Sequence, residues 1–116
     1  MAAVYVQVVA DLDVEVKRGG RDACVCLAGD LDKSTAPLLK DTLLALFAEG
    51  RVRVVVDAER LEFCDSSGLW VLVEHRRRVA AQSGSLGIVG VHGVLRRVLD
   101  VTGLEPAFDH VTVAEP

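Results

Sequence analysis

Along the first part of this chain apolar and polar residues take turns: Leu12, Val14 and Val16 interleave with Asp13, Glu15 and Lys17. A period of two is the mark of a strand with one buried face. After Arg18-Gly19-Gly20-Arg21 the alternation resumes, with Ala23, Val25 and Leu27 set against Cys24, Cys26 and Ala28. Two such runs joined through Gly-Gly predict a β-hairpin. Val4, Val6 and Val8 alternate as well, so residues 1–11 read either as a further edge strand or as a tail.

The period then changes. Ser34 or Thr35 caps a predicted helix that accepts Pro37 in its first turn, where no intrahelical N–H bond is lost. Leu39, Leu43, Leu46 and Phe47 recur at helical spacing, and Gly50 supplies a left-handed stop. Residues 52–56 predict a short, apolar strand, and residues 57–64 a loop. A second helix is predicted from Asp65-Ser66-Ser67 to about Ala81. Its Leu69, Leu72, Val73 and Ala80 fall in a core-facing arc of roughly 100°, with Arg76 inside the arc and Trp70 outside it. A strand at residues 86–89 follows, then a helix with Val94, Leu95, Val98 and Leu99 that stops at Gly103, then a strand at residues 108–111. The order is that of an α/β fold with a mixed sheet. The residues after Val111 are too few for a stable closing helix.

Composition narrows the function classes. A chain of 116 residues, 51% apolar and 26% charged, predicts one folded domain over residues 1–116. No apolar run reaches the roughly 18 residues that span a bilayer, and the opening segment lacks the basic start of a secretory signal. The net charge of −4 disfavours direct binding to DNA. Three cysteines frame neither a disulfide set nor a zinc site, which points to a cytoplasmic protein. Cys24 and Cys26 share one strand face as small hydrophobes, with metal ligation the minor reading.

The sequence holds no Gly-rich phosphate loop, no His-Glu-x-x-His and no Gly-x-Ser-x-Gly. His75 and His92 are expected on helix surfaces, and the run His75-Arg76-Arg77-Arg78 reads as a solvated face complementing the end of its helix. What remains is Asp65-Ser66-Ser67-Gly68. Two hydroxyls stand together at a helix N-terminus, where free N–H groups and the positive dipole end favour a negative charge. Gly68 is expected to open the approach to them, at a propensity cost of roughly 1 kcal/mol relative to Ala. A phosphoryl group placed here would meet those N–H groups. On a helical wheel Ser67 points outward more than Ser66.

These residues resemble the STAS-domain anti-sigma factor antagonists of bacteria. The resemblance covers about residues 12–111 and rests on Gly29-Asp30-Leu31-Asp32, Thr35-Ala36-Pro37 and Val54-Val55-Val56-Asp57. It continues through Phe63-Cys64-Asp65-Ser66-Ser67-Gly68-Leu69 and Val94-Leu95-Arg96-Arg97-Val98-Leu99-Asp100-Val101-Thr102-Gly103-Leu104. It implies a STAS-like mixed sheet with an N-terminal hairpin, helices packed mainly on one face, and a C-terminal helix that is short or absent. It also implies a phosphorylation site at Ser66, with Ser67 the alternative. The implied partner surface comprises Asp30, Asp32, Ser34, Thr35, Asp65, Ser67, Gly68, Trp70 and Val71.

In such a family the unphosphorylated antagonist binds an anti-sigma factor that is a serine kinase and frees its sigma factor. Phosphorylation releases the partner, and a serine phosphatase restores the first state. The antagonist itself is no enzyme and holds no cofactor or metal; ATP and Mg²⁺ belong to the kinase. Trp70 reads either as packing or as a partner anchor. Two further functional readings stay open: a STAS subunit of a transport ATPase or sensory complex that is not phosphorylated, and, more remotely, a small serine hydrolase.

Overall fold

Six strands form one sheet in the order in which they occur: β1 (Val4–Val9), β2 (Leu12–Gly19), β3 (Asp22–Leu31), β4 (Arg53–Cys64), β5 (Ser85–Val91) and β6 (His110–Val113). The computed structural model describes the backbone of residues 4–9 and the whole of residues 11–114. The β1–β2 and β2–β3 pairs are antiparallel, and the three later pairs are parallel. Helices α1 (Ala36–Ala48), α2 (Ser66–Ala80) and α3 (Gly93–Thr102) make the parallel crossovers. Of the segment read as edge strand or tail, Val4–Val9 is an edge strand paired to β2; residues 1–3 and 10 lie outside the described range.

Alternation decides the faces of the sheet. Leu12, Val14, Val16, Ala23, Val25, Leu27, Val54, Val56, Leu86 and Ile88 are buried, and with the apolar faces of α1, α2 and α3 they make one contiguous core. Their neighbours Glu15, Cys24, Cys26, Val55, Asp57 and Val89 point the other way and are only half-buried. The helices thus cover one face and leave the other open.

Four expectations need correction. The segment at residues 57–64 is no loop, since β4 runs through it to Cys64. Two register shifts against β3 explain the misreading: Cys26 pairs with Asp57 but Ala28 with Arg60, and Gly29 with Leu61 but Asp30 with Phe63. Each inserts an extra residue into β4, so its buried positions change from a spacing of two (Val54, Val56, Ala58) to three (Ala58, Leu61, Cys64).

The core stripe of α2 also differs. Val79 and His75 are buried with Leu69, Leu72 and Val73, while Ala80 is only partly covered. Arg76 escapes by reaching Asp109 at 3.1 Å. His75, expected on a surface, is 1% exposed. Finally, β6 starts at His110, because Phe108 turns into the core after a 3₁₀ turn at Glu105–Ala107.

Candidate functional site

The site is built where two neighbouring parallel strands end. Leu31 closes β3 beside Cys64, the last residue of β4. Asp65 then keeps the extended backbone (φ −104°, ψ −178°) and its N–H donates to the Leu31 carbonyl at 3.1 Å. Its carboxylate turns forward and accepts the Gly68 N–H at 3.2 Å, capping α2. Ser66 and Ser67 occupy the first two helical positions and both are exposed. N–H groups of a first helical turn have no intrahelical acceptor, so the hydroxyls stand at a point of positive potential.

Gly68 has another use than the one expected. It is buried, and a Cβ there would overlap the Leu31 side chain, which is itself fully buried. The missing side chain seats the first turn of α2 on β3; it does not open the approach to the hydroxyls.

The neighbouring crossover begins in the same way. Asp32 Oδ1 accepts from Ser34 Oγ at 2.6 Å, Ser34 N at 2.9 Å and Thr35 N at 3.1 Å. The Ser34 hydroxyl, ahead of the backbone donors, holds the Asp32 carboxyl below the usual carboxylate range. Thr35 stands at the N-cap position of α1 without capping it by its side chain. Its hydroxyl donates to the Asp30 carbonyl at 2.8 Å and accepts from Asp32 N at 2.9 Å, and the residue is 1% exposed. Asp30 and Asp32 are half-buried and Ser34 is exposed. Because β3 and β4 are hydrogen-bonded neighbours, about 4.8 Å apart, this loop lies beside Asp65 and the two serines. Thr35 and Gly68, expected at a partner surface, face inward; Val71 is partly covered against the core.

One exposed aromatic side chain of the region is absent from the sequence-derived surface. Phe63 is 42% exposed and Trp70 46%. The second register shift turns Phe63 outward: with regular alternation after buried Leu61 it would point into the core, but Cys64 does so instead. Trp70 follows Ser66 by four residues, one helical turn along the same side. Its place outside the core arc was readable from the wheel; the bulge that frees Phe63 was not.

Burial, with the Asp65 charge beside it, pushes the Cys64 thiol up to about 12, so it stays protonated. His75 is committed to Arg78 at 3.0 Å, His92 to the Glu59 carbonyl at 2.7 Å, and the His110 ring lies over Gly87. No histidine is hydrogen-bonded to Ser66 or Ser67 among the described residues.

The family model described as Mlab, STAS domain matches residues 14–111. An anti-sigma-B factor antagonist of Bacillus subtilis (strain 168) is 33% identical over 100 residues, 85% of this chain and 90% of the relative. The crystal structure of an anti-sigma factor antagonist from Mycobacterium paratuberculosis superposes with a TM-score of 0.77 at 26% identity, covering 90% of each chain. The phosphorylated form of the Bacillus cell fate determinant SpoIIAA shares the fold, with a TM-score of 0.62 at 22% identity over 93% of this chain and 90% of that one. On sequence and fold together, the chain belongs to the STAS-domain anti-sigma factor antagonist family.

Proposed function

We propose that the protein is an anti-sigma factor antagonist that works by partner switching. Its unphosphorylated form binds an anti-sigma factor serine kinase and frees a sigma factor. Phosphorylation of Ser66, with Ser67 the alternative acceptor, releases the kinase, and a serine phosphatase resets the switch in the cytoplasm. The chain contributes only the hydroxyl and a docking surface, while ATP and Mg²⁺ come with the partner.

The observation that carries this reading is the exposed Ser66-Ser67 pair at the N–H end of α2, seated on rigid strand ends by Asp65 and Gly68. Kinship with an anti-sigma-B factor antagonist supports it. A phosphoserine carries roughly −1.5 to −2 charges at neutral pH. It would stand next to the Asp65 carboxylate and be stabilised by the first-turn N–H groups, so the domain need not refold. Against an acidic patch on the kinase, a penalty of about 4 kcal/mol weakens binding roughly a thousandfold.

The test is intact-mass analysis after incubation with an anti-sigma factor serine kinase of the same organism and ATP. A gain of about 80 Da per chain is expected, absent in Ser66→Ala and kept in Ser67→Ala. The reverse pattern moves the acceptor to Ser67. Ser66→Glu that binds the kinase as tightly as the unmodified chain would remove the electrostatic account and favour a STAS subunit indifferent to phosphate.

A further inference from the structure

The sheet face without helices has a low floor and a charged edge. Small or apolar residues make the floor: Cys24 pairs with Val55 and Val55 with Gly87, while Cys26 and Val89 flank Asp57. Cys24, Cys26, Val55 and Val89 are only half-buried. Asp13, Glu15 and Lys17 stand beside this floor on β2. We propose that two copies of the chain pair through this face as a symmetric dimer.

Shape is the first argument. Two concavities, of about 470 and 300 Å³, follow one another along β3, the first at Cys24 and the second at Cys26. Lys17 lines both, so they form one furrow between β2 and the Arg53 and Asp57 side chains of β4. A ridge thus runs next to a furrow, and the ridge of each copy can lie in the furrow of the other. Stacked sheets stand about 10 Å apart, within reach of lysine and glutamate side chains. From β2 to β5 the face offers roughly 400 Å² per copy. A stable interface takes about 800 Å² per partner, so the dimer is a weak one.

Charge is the second argument, and it fixes the direction. Lys17 and Arg53 stand toward one end of the face, and Asp13, Glu15, Asp57 and Glu59 toward the other. Two charges break the pattern: Asp22, which pairs with Arg53, and Arg60, which lines the second concavity. A twofold axis between the sheets and perpendicular to the strands turns one copy end for end. With that axis midway between Cys24 and Cys26, Lys17 enters the furrow of the second copy between its Glu15 and its Asp57. Glu15 then meets the second copy's Lys17, and Asp13 its Arg53. An axis along the strands would instead keep like charges level, Lys17 with Lys17 and Glu15 with Glu15. Within its own chain Lys17 is held only by Glu15 at 3.9 Å, an exposed pair that binds it weakly. The helices, with Ser66 and Ser67 at the head of α2, lie on the opposite face, so the dimer presents both hydroxyl sites at once.

The pairing is tested by sedimentation velocity of the full, reduced chain at low salt, up to about 1 mM protein. A dimer is expected, weakened several-fold as salt is raised. Lys17→Glu and Glu15→Lys should each raise the dimer Kd at least about tenfold, because like charges then meet. An equimolar mixture of the two variants should dimerise again, since in the mixed pair every reversed charge faces an opposite one. Circular dichroism establishes that each variant is folded, and Asp13→Arg with Arg53→Asp, the outer pair, replaces any that is not. A chain that stays monomeric throughout overturns the proposal. So does a dimer that is indifferent to both substitutions, or one that the mixture does not restore.

Discussion

The side chain of Leu31, at the end of β3, occupies the volume that a Cβ on Gly68 would need in the first turn of α2. Leu31 also accepts the Asp65 N–H through its carbonyl. One residue thus holds the start of the helix twice, by its backbone and by its side chain.

Gly68→Ala should accordingly destabilise the domain, although alanine is the better helix former by about 1 kcal/mol. Overpacking against a fully buried leucine costs about 1–3 kcal/mol, so a net loss of up to about 2 kcal/mol is expected from urea unfolding. Leu31→Ala alone should cost about 2–5 kcal/mol. The double variant should lose less than the sum of the two, by about 0.5 kcal/mol or more. A Gly68→Ala protein as stable as the parent would show that Leu31 yields.

His75 makes stability depend on pH. Its Nδ1 accepts from Arg78, its Nε2 is buried without a partner, and its ring meets Phe47 edge-on at 6.3 Å. Burial, and then the Arg78 charge, lowers its pKa from 6.5 to about 4. The unfolded chain therefore takes up the proton first as pH falls. The contribution of the neutral imidazole is whole above about pH 6.5 and is lost progressively down to about pH 4, roughly 3 kcal/mol across that window. In His75→Met this part of the acid destabilisation should disappear, which urea melts of the two proteins at matched pH values will measure.

Phe63 and Trp70 are about half covered and stand outside the core cluster, so Phe63→Ala and Trp70→Ala should destabilise the free protein less than truncation of a core leucine, which costs about 2–5 kcal/mol. If the Ser66 face docks on a kinase, the aromatic anchors belong to the contact. Trp70→Ala should then weaken binding by about 2 kcal/mol, roughly thirtyfold, in calorimetric titration. Undiminished affinity in both variants would place the docking surface elsewhere.

Asp109 ties the last part of the chain to the sheet. It accepts from Leu86 N at 2.7 Å and pairs with Arg76 at 3.1 Å. Burial opposes its charge, but the Arg76 and Leu86 hydrogen bonds outweigh it and hold the carboxyl below its usual range. Asp109→Ala should cost about 1–3 kcal/mol in urea unfolding at neutral pH. The difference from the parent should narrow in acid, as the native carboxylate is protonated through its lowered pKa.

What the amino-acid order revealed divides by the range of the forces involved. The β2–β3 hairpin was legible because alternation and a Gly-Gly turn are local, and so was the Asp65-Ser66 start of α2. The second half of β4 was not, because its burial period follows β3 and not its own pleat. His75 sits in an arginine run that reads as surface, and its burial, with the Phe47 ring of α1 edge-on against it, comes from tertiary packing. Gly68 was noticed for its missing side chain, but the reason lies on Leu31, far away along the chain.

The two extra residues in β4 act like teeth on a ratchet. Each shifts the phase of everything downstream, and the aim of Asp65 depends on how many there are. A regular ladder that paired Glu62 with Asp30 would set Phe63 opposite Leu31, swap the directions of Phe63 and Cys64 and swing the following helix out of alignment. In this part of the molecule the tally of residues matters more than their kind.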